Sequence, residues 1–275
     1  MHSNITMTFI GGGNMARALI TGILPRVDKA TQLRVVDINQ DNLMRLESEF
    51  GVMTSMMLNQ SICESDVLLL AVKPQQFRDV IGELAPFLRH QLVISVAAGI
   101  RTTDISRWLG AYTQIVRAMP NTPALIGKGI TGMYAMPEVP EAQRVVADAI
   151  LGAVGSTCWF DREHDIDSVT AISGSGPAYV FYFIEALQQA AQELGLSAEH
   201  SEQFAIATFE GAAQLALHSS EPVSVLRERV TSKGGTTYAA IHSMESNHVR
   251  EAIVAAVKAA AARAKGLGEE FGRQD

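Results

Sequence analysis

One short stretch constrains this chain more than any other: Thr6-Met7-Thr8-Phe9-Ile10, a strand pattern, running directly into Gly11-Gly12-Gly13-Asn14-Met15-Ala16. The glycine spacing is G-x-G-x-x-A, the form of a turn that carries a dinucleotide from a strand into a helix. Gly11 makes the tight turn, Gly13 lets a pyrophosphate approach the backbone, and Ala16 is small enough for the helix to pack closely on the strand. Met15, Leu19 and Ile23 recur at helical spacing, as the motif requires. A second strand pattern, Leu33-Arg34-Val35-Val36-Asp37, ends in an acid at about the expected distance. Ile10, Gly11, Gly12, Gly13, Asn14, Met15 and Asp37 are therefore the first candidate cofactor contacts. A carboxylate at Asp37 accepts from a ribose 2′-hydroxyl and repels a 2′-phosphate, which favours NADH. Arg34 or Arg45 swinging in would admit NADPH, and Asp37 or Asn39 could instead cap the next helix.

Helix and strand patterns then alternate. Asn42 to Phe50 reads as a helix and Asp66 to Val72 as an apolar strand stopped by Lys73-Pro74. Gln75 to Leu88 reads as a helix that Pro86 shortens, and Leu92 to Val96 as a strand running into Ala97-Ala98-Gly99. A short helix capped by Thr103 or Asp104 precedes a strand at Gln114 to Arg117, and two further strands between Thr131 and Phe160 flank a helix from Glu141 to Val154. Near-continuous apolar strands separated by helices predict a parallel sheet covered on both faces, with ligands at the carboxyl ends of its strands. That places Ala71, Val72, Lys73, Pro74, Ala97, Ala98, Gly99, Met119, Pro120 and Asn121 along one crevice with the glycine turn. Lys73 reads as structural or near the cofactor rather than as an acid.

Past about Asp161 the pattern becomes wholly helical: Ile166–Ile172, Ala178–Leu194, Ser197–His218, Val223–Val230, Thr237–Met244 and His248–Lys265. The expected division is 1–162, a Rossmann-type α/β domain, and 163–275, an all-α domain. With 47% apolar and 19% charged residues the chain can bury a sizeable core. Its helices rich in small residues need something to pack on, and another subunit would serve. A net charge of −7 and no basic run argue against nucleic acid, and neither a signal peptide nor a membrane span is expected. Cys63 and Cys158 read as reduced structural thiols of a cytoplasmic protein, Met53, Met56 and Met57 as filling, and the seven histidines show no metal-ligand spacing.

A second glycine turn lies near the other end, at Val230-Thr231-Ser232-Lys233-Gly234-Gly235-Thr236-Thr237. It opens a helix, whose first N–H groups lack intrahelical partners and sit at the positive end of the helix dipole. Such a turn suits a small anion, although an ordinary capped helix start has the same pattern.

Taken in order, Phe9–Met15, Ala71-Val72-Lys73-Pro74, Arg117–Pro123, Ser173-Gly174-Ser175-Gly176-Pro177-Ala178-Tyr179 and Ser232–Thr237 resemble the pyrroline-5-carboxylate reductase family over essentially the whole chain. Two departures stand out: Lys233 replaces a usual proline, and Leu58 stands where many members carry an asparagine near the adenosine. The resemblance implies hydride transfer from NADH or NADPH to the C=N carbon of a cyclic imine, giving proline, in an α/β Rossmann-type domain followed by an all-α dimerisation domain. It also implies an interlocked homodimer, often in rings of dimers such as a decamer, with the cofactor reaching the substrate from the partner's dinucleotide domain. Val230, Ser232, Gly234, Gly235, Thr236 and Thr237 would bind substrate; the expected catalytic contact is the Thr237 hydroxyl at the ring nitrogen, the alternative being a first-turn threonine that bonds only backbone. Ser173–Tyr179 would pack beneath the site, and no metal is implied. Hydroxyacid dehydrogenases share the plan but place a catalytic lysine on the first long C-terminal helix, and Glu163 to Leu196 contains neither lysine nor arginine. A non-enzymatic dinucleotide sensor is the other reading.

Overall fold

The computed structural model describes residues 4–59 and 64–273; His2 and Cys63 lie outside the described residues. Two compact units divide the chain: Met1–Ser175 together with Ala260–Asp275, and Gly176–Ala259.

The first unit is built on one sheet of β1 (Met7–Ile10), β2 (Leu33–Val36), β3 (Met53–Ser55), β4 (Val67–Leu70), β5 (Leu92–Ser95), β6 (Ile115–Met119), β7 (Gly129–Ala135) and β8 (Gly155–Trp159). Their spatial order is β3-β2-β1-β4-β5-β6-β7-β8. Strands β1 to β6 run parallel, with Phe9 beside Val35 on one side and Leu69 on the other. Strand direction reverses at β7, which is antiparallel to β6, and β8 follows β7 in parallel. The expected all-parallel sheet therefore acquires a reversed edge, because the turn after β6 is too short for a crossover helix.

Alternation along each strand splits the core in two. Phe9, Val35, Leu69 and Ile94 face one cluster with Leu19, Ile20 and Ile150, while Ile10, Leu68, Leu70 and Val93 face another with Phe77, Ile81 and Ile105. Helices α1 (Asn14–Ile23), α2 (Gln40–Phe50), α3 (Pro74–Leu84), α4 (Thr102–Trp108) and α5 (Glu141–Leu151) cover these faces. The short α6 (Asp165–Val169) continues as a π-helical turn, Thr170–Gly174.

Several local expectations are corrected. Strand β3 is a short edge element, and Met53, Met56 and Met57 are exposed there rather than filling a core. Cys158 is exposed on β8, where alternate residues face outward, so it is not a buried structural thiol. Helix α4 begins at Thr102 after Arg101, not at a Thr103 or Asp104 cap, because its first N–H finds its acceptor on Glu163, far away in sequence.

The second unit contains α7 (Gly176–Glu193), α8 (Ala198–His218), α9 (Val223–Arg229), α10 (Thr236–Ser246) and the start of α11 (Val249–Gly272). Gly195, at φ +95°, ends α7, and the Ser197 side chain caps α8 by accepting from the His200 N–H. Phe181, Tyr182, Phe204, Leu215 and Leu217 stand exposed on α7 and α8, an apolar surface that a free monomer would leave in water. No helix among the described residues is long and apolar enough to cross a membrane.

Helix α11 runs past the expected end at Lys265 despite Gly266, Gly268 and Gly272. Packing leaves little room for a side chain at two of these three positions. A Cβ on Gly268 would lie 3.1 Å from the Gly99 carbonyl oxygen, and one on Gly272 would lie 2.9 Å from Asp104 Oδ2. Arg107 Nη2 donates to the Gly272 carbonyl at 2.9 Å, so the helix end is satisfied by the first unit.

Candidate active site

The glycine turn sits where β1, central in the sheet, has β2 on one side and β4 on the other, the switch point at which such sheets hold dinucleotides. Gly11 adopts φ +97°, and a Cβ there would come within 2.8 Å of the Ala71 carbonyl oxygen, so only glycine fits. Gly13 has an ordinary backbone conformation, and a Cβ would meet nothing within 4 Å. Its value is openness: any side chain would fill the space in front of the α1 amides. The first backbone bond of α1 joins the Arg17 N–H to the Gly13 carbonyl, so the N–H groups of Asn14, Met15 and Ala16 have no acceptor in their own helix. A groove of about 620 Å³ opens there, lined by Gly12, Gly13, Asn14, Arg17, Asn42 and Arg45. Asp41 and Glu49 also line the groove, so the feature that suits an anion is the set of unpaired amides at the start of α1.

Asp37 does something its place in the motif does not announce. Its Oδ2 accepts from the Gly12 N–H at 2.7 Å and from Asn42 Nδ2 at 3.3 Å, and Asn42 Nδ2 also donates to the Gly12 carbonyl at 2.7 Å. Oδ1 accepts from the Asn39 N–H at 2.9 Å. The helix cap falls to Asn39, which accepts from the Asn42 N–H. Asp37 thus clamps the middle of the glycine turn and places a charge beside the expected ribose. Arg34 reaches the Met53 sulfur at 3.9 Å, and Arg45 lines the groove.

The other expected contacts follow the ends of neighbouring strands. Ala71 and Val72 leave β4; exposed Lys73 precedes Pro74, the first residue of α3. Ala97, Ala98 and Gly99 follow β5, with Gly99 at φ +77°. Met119 ends β6, followed by buried Pro120 and Asn121; Asn121 Oδ1 accepts from the Ile130 N–H at 2.9 Å and pins the turn into β7. Beneath these ends lies a cluster that sequence reading missed. The Arg117 guanidinium, only 2% exposed, reaches Asp167 Oδ1 at 2.7 Å and Glu163 Oε1 at 3.5 Å. Glu163 also accepts from the Thr102 N–H at 2.6 Å and the Thr102 hydroxyl at 2.9 Å. The π-helical turn abuts β6, since a Cβ on Gly174 would lie 2.7 Å from Met119 Cε. Close packing is thus seen at Gly174, one residue of the Ser173–Tyr179 motif.

In the second unit the turn between α9 and α10 is ordered by its own backbone. Thr231 and Val230 donate to carbonyls of α9, and the Gly235 N–H donates to the Ser232 carbonyl at 3.0 Å. Gly234 takes φ +77°, and Gly235 caps α10 without a side chain. The first helical bond runs from the Ala239 N–H to the Gly235 carbonyl, which leaves the N–H groups of Thr236, Thr237 and Tyr238 without an acceptor in their own helix. Among the described residues no protein partner is found for the hydroxyls of Ser232, Thr236 or Thr237, and Lys233 is exposed beside them. Three amides, three hydroxyls and a cation around one turn are all groups able to donate to a small anion.

Known proteins carry the same plan. A family profile described as "Pyrroline-5-carboxylate reductase dimerisation" matches residues 163–267, and one described as "NADP oxidoreductase coenzyme F420-dependent" matches residues 6–99. A pyrroline-5-carboxylate reductase of Pseudomonas aeruginosa is 41% identical, covering 97% of this chain and 98% of that protein. The chain belongs to the pyrroline-5-carboxylate reductase family. A solved pyrroline-5-carboxylate reductase from Coxiella burnetii superposes with a TM-score of 0.88 at 43% identity, covering 97% of this chain and 99% of the other. The Plasmodium falciparum pyrroline carboxylate reductase, solved with NADP bound, gives 0.87 at 30% identity over 98% and 100% of the two chains. Both the Rossmann-type unit and the helical unit therefore have reductase counterparts, and the dimerisation profile covers the α7–α10 surface left apolar in the single chain.

Proposed function

We propose that this chain reduces 1-pyrroline-5-carboxylate to L-proline, the last step of proline biosynthesis, using NADH or NADPH. The observation that carries the reading is the turn at 230–237, whose amides without helical acceptors and whose hydroxyls suit a substrate carboxylate, in a chain that also holds an open dinucleotide edge. The dinucleotide contacts fall within residues 1–162 and the substrate turn and dimer contacts within 163–275, although 163–175 and 260–275 belong to the first compact unit. The pyrophosphate lies on the amides after Gly13, and Asp37 favours the unphosphorylated ribose of NADH without excluding NADPH.

The nicotinamide supplies the hydride for the imine carbon. The protein's residues position and polarise. The amides of Thr236 and Thr237 hold the carboxylate, with Val230, Ser232, Gly234 and Gly235 shaping the turn around it. The Thr237 hydroxyl hydrogen-bonds the ring nitrogen, and a proton taken up there from solvent makes the imine carbon a better hydride acceptor. No metal and no buried acid is needed for this chemistry, since placement alone is worth several kcal/mol. A complete site takes the dinucleotide edge of one chain and the turn of its partner, in an interlocked dimer that assembles into a ring in the cytoplasm.

Oxidation of NADH and NADPH, each followed at 340 nm with pyrroline-5-carboxylate, tests the activity and ranks the cofactors. We expect turnover with both and a lower KM for NADH. Folded protein that oxidises neither would leave a dinucleotide sensor. Thr237→Ala should lower kcat by about a hundredfold, and full turnover in that variant would remove Thr237 from the mechanism.

A further inference from the structure

The cluster of Arg117, Glu163, Asp167 and Thr102 lies outside the residues that would touch cofactor or substrate, yet it joins the segments that form the crevice. Thr102 follows the Ala97–Gly99 bend, and Arg117 immediately precedes Ala118 and Met119. Asp167 lies on α6, whose π-helical continuation abuts Met119 through Gly174. Glu163 is the hub: Oε2 accepts the Thr102 hydroxyl at 2.9 Å, while Oε1 takes both the Thr102 N–H at 2.6 Å and Arg117 at 3.5 Å.

A charge cluster that is largely buried, with Arg117 at 2% and Glu163 and Asp167 at 17% and 15% exposure, is by itself weak evidence for added stability. A buried ion pair is often matched or bettered by apolar groups of the same shape, because two charges lose their hydration while each bond works only in one geometry. What such a cluster supplies is direction. The Arg117 guanidinium has one fixed pairing geometry with Asp167 and Glu163, and Glu163 in turn has one geometry with the first turn of α4. A shift of either strand end would strand a buried charge.

We propose that Glu163 is a positioning residue that sets, through Thr102 and Arg117, the spacing between the Ala97–Gly99 and Met119–Asn121 edges where the reduced nicotinamide must lie. This rests on the reductase reading of the same crevice. Loss of the hub should leave the fold in place but let the two edges drift, weakening dinucleotide binding and misaligning the hydride.

The test uses the full chain with Glu163→Gln, Thr102→Val and Thr102→Ser. Thr157→Val serves as a control that deletes a hydroxyl–carboxylate bond of the same kind, 2.7 Å to Asp148, on the outer strand of the sheet. NADH and NADPH affinity is measured by fluorescence titration without substrate, beside KM, kcat and the melting temperature. Thr102→Val and Glu163→Gln should raise the dinucleotide Kd and KM by about three- to tenfold. Thr102→Ser should return both to the parent values, and Thr157→Val should lower only the melting temperature. The proposal is overturned if Thr102→Val melts earlier yet binds dinucleotide as the parent does, and Thr102→Val decides the matter should Glu163→Gln not fold. A parent protein that binds NADH but never reduces the imine would sink the reductase reading while the titrations still judge the hub.

Discussion

Asp37 shows how one side chain can hold two roles that a motif reading separates. Its carboxylate anchors the Gly12 amide and the Asn42 side chain, and the same charge stands beside the expected ribose. A discriminator alone, once removed, would improve NADPH use and leave the turn intact. A clamp, once removed, damages both cofactors. We expect Asp37→Ala to raise KM for NADH and NADPH alike by about tenfold, measured by initial rates with each. A variant that gained on NADPH while keeping its NADH KM would show that the clamp is dispensable. The glycine turn was legible from sequence because its spacing, strand and helix lie within a few residues of one another, although the atom that excludes a side chain at Gly11 is the distant Ala71 carbonyl oxygen. The Gly12–Asp37 and Thr102–Glu163 bonds were not, since their partners stand 25 and 61 positions apart and nothing local marks either end.

Elements were legible in kind more than in direction. The apolar runs at β1, β4 and β5 announced buried strands, but such a run reads the same in either sense, so the reversal at β7 stayed hidden. Strand β3 was missed because its short run sits on the sheet edge with little apolar periodicity. The join between β7 and β8 depends on a close approach of backbones. Gly155 adopts φ +153°, and a Cβ there would lie 1.9 Å from the Gly129 carbonyl oxygen. We therefore expect Gly155→Ala to destabilise the protein by about 3 kcal/mol or more, read from urea or thermal unfolding. An unchanged midpoint would mean that β8 can leave its place beside β7 at no cost.

At the scale of the whole molecule, the second unit exposes the apolar faces of α7 and α8, and the dimerisation profile covers the same residues. Their sequence announced helices with wide apolar sides but could not say what covers them, because a partner copy leaves no trace in local spacing. A shared site has a consequence that co-expression can read. Gly13→Asp disables the dinucleotide edge and Thr237→Ala disables the turn, each in its own chain. If every site draws on two chains, random pairing yields mixed dimers with one intact site, and the co-expressed mixture should recover about a quarter of the parent activity. Recovery no greater than the sum of the single variants would place both halves of the site within one chain.

Helix α11 contributes its last turns to the same compact unit as the β1 glycine turn, where they close over Gly99. The sheet-bearing unit of this protein is thus made from two stretches of chain separated by the helical unit. During synthesis its sheet can assemble early, but one wall stays unbuilt until the residues beyond Ala260 have left the ribosome. Until then the bend after β5 lacks the cover that Leu267 and Gly268 give to Gly99.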